Sequence, residues 1–204
     1  EYPDKSLIER HDREIFPLLH RRHLFAGVDD FLLYDFFSPD GKVNEDVFAY
    51  SNIFGSERSL VAYHNKNGNA AGWIRTSAMY SVKDPADGKR ILVQKTLGVG
   101  LVIPPVNNRF TVFFDHQSRL EYIRQNSDLC DRGLYVELGP YECHVFLDFR
   151  ELVDDDDHHY ARLTHYLNGR GVPNIDEALR EIFLQPIHHC FSEISNARIL
   201  RHLW

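Results

Sequence analysis

The segment from Phe31 to Asn65 constrains this chain more than any other part of it. It opens on a near-continuous apolar run, Phe31–Phe37 (FLLYDFF), followed by the polar loop SPDGKVNED. A short apolar run between turn signals is the pattern of a buried segment. Two further runs, Val47–Phe54 and Ser59–His64, lie on either side of Gly55-Ser56-Glu57. That arrangement predicts a β-hairpin around a glycine-containing turn.

The residues that follow predict more strands. Trp73–Tyr80, Arg90–Leu97, Phe110–Phe114, Leu134–Leu138 and Cys143–Phe149 are strand-length runs separated by turn-rich stretches such as KDPADGK and Gly139-Pro140. Around Gln117–Asn126 the pattern changes, and Leu120, Ile123 and Arg124 predict a short helix. Seven or so short strands with turns between them favour an antiparallel β-sandwich.

Helices are expected at both ends. Ser6 followed by Glu9 makes a capping-box pattern, and Leu7, Ile8, His11, Ile15, Leu18, Leu19 and Arg22 share one helical face. Pro17 predicts a kink or restart near Arg13–Phe16. Toward the other end, the acidic run Asp154–Asp157 precedes a short amphipathic helix carried by Tyr160, Leu163 and Leu167, ending at Gly169 and Gly171. Asn174 with Glu177 forms a second cap. Pro186 ends or bends the helix that follows, and residues from Ser192 to Trp204 predict a last one. The expected fold class is α+β. Residues 1–30 form an N-terminal helical segment, 31–152 an antiparallel β-sandwich, and 153–204 a helical tail packed on it.

Composition narrows the functional classes. With 204 residues, 43% of them hydrophobic and 13% aromatic, the chain can build a real core. The net charge of −7 and the scatter of basic residues argue against nucleic acid, whose binding needs clustered Lys and Arg. The longest near-apolar runs, Gly98–Val106 and Leu24–Val28, fall short of the ~18 residues a membrane span needs. Cys130, Cys143 and Cys190 are far apart and form no C-x-x-C pair. Neither a zinc site nor a disulfide framework is therefore signalled, and reduced structural thiols in a cytoplasmic parent are expected. A start at Glu1, a single methionine (Met79) and no signal segment together predict an internal fragment.

The motifs that carry chemistry are mostly missing. Asp154–Asp157 with His158-His159 is the densest group of ligand types, but adjacent side chains diverge, and acids before a helix suit its positive end. His188-His189-Cys190 lacks a spaced second pair. His20 and His23 sit beside Arg21 and Arg22 as a solvated basic face. No G-x-S-x-G elbow is present, and Gly98 and Gly100 lack the third glycine of a phosphate loop. No cofactor and no metal site is expected. Sugar binding has one candidate, because exposed aromatic rings stack on pyranose faces. Trp73 shares a strand face with Arg75 by alternation, and Tyr63 and Tyr80 are its candidate neighbours, so Trp73, Arg75, Tyr63 and Tyr80 form the expected carbohydrate-binding set.

The stretch from Ile15 to Asn65, with RHLFAGVDDFLLYDF and then VFAYSN…GSERSLVAYHN, resembles the exit from the catalytic barrel of α-amylase family glycoside hydrolases. GLYVELGPYECHVFLDFRE and YLNGRGVPNIDEALREIF are similar to the continuation in large bacterial amylase-like proteins. The resemblance implies a parent enzyme acting on α-glucans, of which this region is the non-catalytic C-terminal part. Its implied partner is the parent's own barrel, and its role is structural support or substrate presentation. The family's catalytic segments are not found here. Phe113-Phe114-Asp115-His116 sets an Asp beside a His without the family's Asn-His-Asp order, so no catalytic role carries over. The helical tail departs from ordinary members of the family. Two alternatives stand beside this reading: an autonomous carbohydrate-binding module centred on Trp73, and an interaction or dimerisation module acting through the tail.

Overall fold

The computed structural model describes residues 4–84 and 88–194, with residues 185–194 described by backbone alone. The first helix, α1 (Lys5–Glu14), is capped by Asp4 rather than by Ser6. The Asp4 carboxylate accepts hydrogen bonds from the Ser6 and Leu7 amides and satisfies donors that the first turn leaves free. The helix stops before Pro17 and restarts as α2 (Phe16–His20), as the proline predicts. A short α3 (His23–Ala26) then leads to the strands.

In chain order these are β1 (Leu32–Phe37), β2 (Val47–Phe54), β3 (Glu57–His64), β4 (Ala70–Ser77), β5 (Tyr80–Lys83), β6 (Arg90–Val93), β7 (Arg109–Asp115), β8 (Leu120–Gln125), β9 (Leu134–Leu138) and β10 (Cys143–Val153). Helix α4 (Leu97–Gly100) precedes β7, α5 (Asn126–Asp131) precedes β9, and α6 (His159–Leu167) and α7 (Ile175–Ile194) close the described chain. Among the described residues, no helix is long and apolar enough to cross a membrane.

The fold is α+β with antiparallel strands. Eight of them form one curled sheet in the order β8-β7-β10-β3-β2-β1-β4-β9, and β5 and β6 pair separately. The strands therefore share one continuous ladder instead of dividing into two sheets. The reason is β10. Its first residues, Cys143–Phe146, pair with β3, and Phe146–Val153 continue onto β7. A register shift between Leu147 and Arg150, with Asp148 at φ 54°, marks a bulge that bends the strand and joins the two halves.

The predicted helix around Gln117–Asn126 is also corrected. After a tight turn in which the Arg119 amide bonds the Asp115 carbonyl, Leu120–Gln125 pairs with β7 as β8, and the helix comes only afterwards. Spacing at 120, 123 and 124 suits a helix, but the two faces of the sheet claim alternate residues. Tyr122 packs with the inner core, and Ile123 points outward among the helices.

The inner face of the curl is the main core, built on Phe36, Leu60, Ile74, Phe113 and Phe146. Outside, α6 and α7 cover β7 and β8 through Leu163, Leu167 and Ile175 against Phe110, Val112 and Ile123. Leu18 and Leu24 cover Val61, Val145 and Leu147 on β3 and β10. Asp154 caps α6 by accepting from the Tyr160 and Ala161 amides, and Asp155 engages His159, so these acids serve the helix start as expected. The predicted Asn174 cap forms on the Glu177 amide. Helix α7 runs past Pro186 to Ile194, and the helix expected to end at Trp204 lies outside the described residues beyond that point. His23 is not a free basic face: its ring and the Arg21 guanidinium both engage Glu57.

Candidate functional site

Curling brings the two ends of the sheet, β8 and β9, to face each other across a cleft of about 1170 Å³. The two edges are built differently. Gly133 starts β9 at φ +77°, and an added Cβ there would lie 2.1 Å from the Ile74 carbonyl oxygen, so a side chain is excluded by both conformation and space. From there Leu134, Val136 and Leu138 turn into the core, while Tyr135 and Glu137 are exposed. With the Ile74 carbonyl aimed at β9, the ladder bonds to β4 belong to Leu134, Val136 and Leu138. Neighbouring residues of a strand point their backbone groups to opposite sides. The amides and carbonyls of Tyr135 and Glu137 therefore face the cleft. His144 agrees with this, because its Nε2 lies 3.2 Å from the Glu137 carbonyl oxygen.

The β8 edge is closed. The Glu121 amide donates to the Val172 carbonyl at 2.7 Å, and the Val172 amide returns a bond at 2.9 Å. The Glu121 carboxylate then accepts from Arg150 and from the Ile175 amide at the start of α7. This one side chain ties the α6–α7 connection along the strand.

The inner wall of the cleft is aromatic. Phe113 stacks on Tyr122 at 5.8 Å and meets Phe146 edge-on at 5.2 Å. Arg124 lies with its guanidinium 5.7 Å from the Tyr122 ring and donates to the Ile123 and Gly169 carbonyls at 2.8 and 2.9 Å. Burial pushes its pKa down, yet a guanidinium stays charged in proteins. Among the described residues no carboxylate pairs with Arg124 or with the exposed Arg132 nearby. Arg124, Arg132 and Asp128 thus stand at the Gly133 end of the cleft, and Glu137 and Glu142 stand at the other.

Between these ends, His144 spans from β10 to β9. Its Nδ1 lies 2.8 Å from Asp115 Oδ2, opposite the bond to the Glu137 carbonyl. Both partners are acceptors, so both ring nitrogens must carry hydrogen and the imidazolium is the form that fits. Burial alone would depress the His144 pKa, but the Asp115 carboxylate outweighs it and holds the value above the ordinary one. Burial would likewise raise Asp115, and the bonds from His144 and Ser118 hold it below the carboxylate range instead. Asp115 is fully buried and also accepts from the Val145 and Gln117 amides. The pair is a structural clip, with no hydroxyl or thiol nucleophile on His144. Cys143 points to the opposite face, where it accepts from Gln117 Nε2.

The structure brings together half of the expected sugar-binding set. Trp73 is half-buried at the cleft mouth, edge-on to Tyr135 at 4.9 Å. The Arg75 guanidinium sits 5.1 Å from the Trp73 ring, and its Nε donates to the Arg132 carbonyl. Tyr63 lies elsewhere, on the outer face of β3, with its hydroxyl on Asn65. Tyr80 packs against the inner core from β5. Sequence reasoning missed Tyr135, Tyr122, Arg124 and His144. Alternation in Leu134–Leu138 does mark Tyr135 as outward-facing, but no local signal marks the other three.

Gly98 and Gly100 serve packing, with Cys130 and the Tyr34 hydroxyl pressed against them. Among the described residues no three His, Cys, Asp or Glu side chains converge on a metal position. No protein-family model, no curated protein and no solved structure matches this chain.

Proposed function

We propose that this chain is a non-catalytic binding domain whose ligand lies in the β8–β9 cleft. The observation that carries the reading is the cleft itself: an aromatic wall, two arginines without a carboxylate partner among the described residues and a strand edge uncovered by any described element converge on one space. Ligand sites combine such apolar walls with a few placed polar groups. Three of the acids nearby are already engaged. Glu142 accepts from the Gly139 amide, Glu137 accepts from the Tyr135 hydroxyl, and Asp115 is saturated. Glycoside hydrolysis needs two free carboxylates across one bond, and of the described acids at the cleft only Asp128 stands without such a bond.

The test uses two probe classes, a maltooligosaccharide series and dodecapeptides selected from a random phage-displayed library. Saturable binding of either one, lost in Trp73→Ala or Arg124→Gln and kept in Arg119→Ala on the far side, supports the cleft as the site. No saturable binding by either class removes it.

A second reading is favoured by the Trp73–Tyr135 pair. The resemblance of Ile15–Asn65 to the α-amylase family implies an α-glucan-processing parent, with this region presenting substrate or bracing the parent's barrel. Trp73 at the cleft mouth supplies the aromatic platform such a role uses. Maltoheptaose titrated against tryptophan fluorescence tests it. A saturable change that Trp73→Ala abolishes is expected, and a flat response at millimolar sugar sinks this reading.

A further inference from the structure

We propose that the free edge of β9 takes an extended peptide from a partner protein by strand addition, with an acidic side chain of that peptide held by Arg124. The inference rests on the cleft being the binding site and names its occupant. Three observations carry it.

The first is the direction of the free backbone groups. The Tyr135 amide and carbonyl and the Glu137 amide point away from β4, as the positions of the Ile74 carbonyl and of His144 both require. They are the donors and acceptor an added strand uses. The second is the contrast with β8. There the same kind of edge is covered by Val172, whereas β9 ends the sheet and among the described residues no element runs along it. An uncovered edge of this kind is a template for pairing. The third is charge. A strand on β9 would run past Arg124 and Arg132, with Asp128 beside them, at the Gly133 end and past Glu137 and Glu142 at the other. Arg124 has guanidinium hydrogens to spare beyond its two carbonyl bonds, and a carboxylate is the group that matches them.

The expected occupant is thus a segment of about five residues with alternating apolar side chains for the Phe113–Tyr122 wall. It carries Asp or Glu at the Arg124 position and favours Lys or Arg toward Glu142.

Peptides selected from the random library, synthesised with fluorescein, are the probes. An acidic residue at one fixed position of an alternating pattern is expected. Replacing that residue by Lys, or testing the peptide on Arg124→Gln, should weaken binding about tenfold. N-methylation of alternate peptide amides should abolish binding at the positions facing β9 and spare the others. On the wild-type chain, bound peptide should slow amide exchange at Tyr135 and Glu137 and leave Val136 unchanged, a readout independent of how any variant folds.

Peptide binding indifferent to N-methylation and to Arg124→Gln overturns strand addition. So does protection of Tyr135 and Glu137 in a peptide-free dimer, which would make a second copy the occupant. Maltoheptaose binding without peptide binding overturns this inference and keeps the cleft. Binding of neither overturns both.

Discussion

The two ends of the curled sheet are a controlled pair, since both are edge strands of one ladder and both border the same cleft. At β8, Glu121 gathers Arg150 and the Ile175 amide through its carboxylate and Val172 through its backbone amide and carbonyl. The edge is thereby built into the α6–α7 layer and is structural. At β9, among the described residues, the outward side chains bond no other segment, and His144 reaches across to the Glu137 carbonyl. The lesson is that an edge is closed by what its outward-facing residue can bond. Glu121 recruits a chain segment, whereas Tyr135 and Glu137 bond each other and leave their backbone groups to the cleft.

The strongest way to break the contrast is at the clip. Asp115→Ala leaves a buried imidazolium and three amide donors without their acceptor, and should cost about 3–5 kcal/mol, read as a lowered denaturation midpoint in urea. The ladder-bonded amides of Leu134, Val136 and Leu138 should lose protection together with the global transition. Next in size is Gly133→Ala. The left-handed backbone costs about 1–2 kcal/mol and the clash with the Ile74 carbonyl about 1–3 more. Near-normal stability for this variant would mean that β9 does not start where its contacts with Ile74 place it.

A smaller effect should sharpen the comparison from the other side. Glu121→Gln weakens the bonds to Arg150 and Ile175 and should cost about 1–2 kcal/mol. The loss should appear as faster amide exchange at Val172 and Ile175 with β9 unchanged. Equal effects on both edges would show that they are not independent.

The mildest test is pH. His144 faces Asp115 from β7, with Glu142 adding to its positive stabilisation, and its folded pKa lies above the ordinary 6.5. A raised histidine contributes stability that is fully present below the unfolded value and is lost as pH rises through the folded one. Asp115, depressed below its ordinary 3.8, contributes stability that is present above that value and is lost at lower pH through its folded one. The pair therefore stabilises fully between about pH 4 and 6.5 and weakens on either side. Midpoints measured across pH should fall above 6.5 in the wild type, and His144→Gln should flatten that decline.

Much of the element order was readable in advance. Val47–Phe54, Leu134–Leu138, the Asn174 cap and the restart at Pro17 all follow from local chemistry: alternation, a capping oxygen, a missing amide hydrogen. The failures share one cause. Leu120–Gln125 has helical spacing, but two packed faces imposed a strand. The antiparallel α+β class is seen, while the strands form one curled sheet in which β10 bulges at Asp148 and stays paired on both sides, and the expected division into two sheets is not seen. The candidate site was legible only in part. Trp73 and Arg75 stand where alternation puts them, whereas Tyr63 and Tyr80 are set on other surfaces by strands that sequence distance alone cannot place.

What the sequence by itself determined is local: which segments extend, which coil, where caps and turns fall, and that the chain can bury a core. Tertiary structure alone decided that Asp115, Glu137 and His144 meet and, among the described residues, that no carboxylate pairs with Arg124 and that one edge is covered and the other is not. Those outcomes depend on how far the sheet curls and which distant strands end it. They are sums of many weak long-range contacts, and no short window of residues contains them.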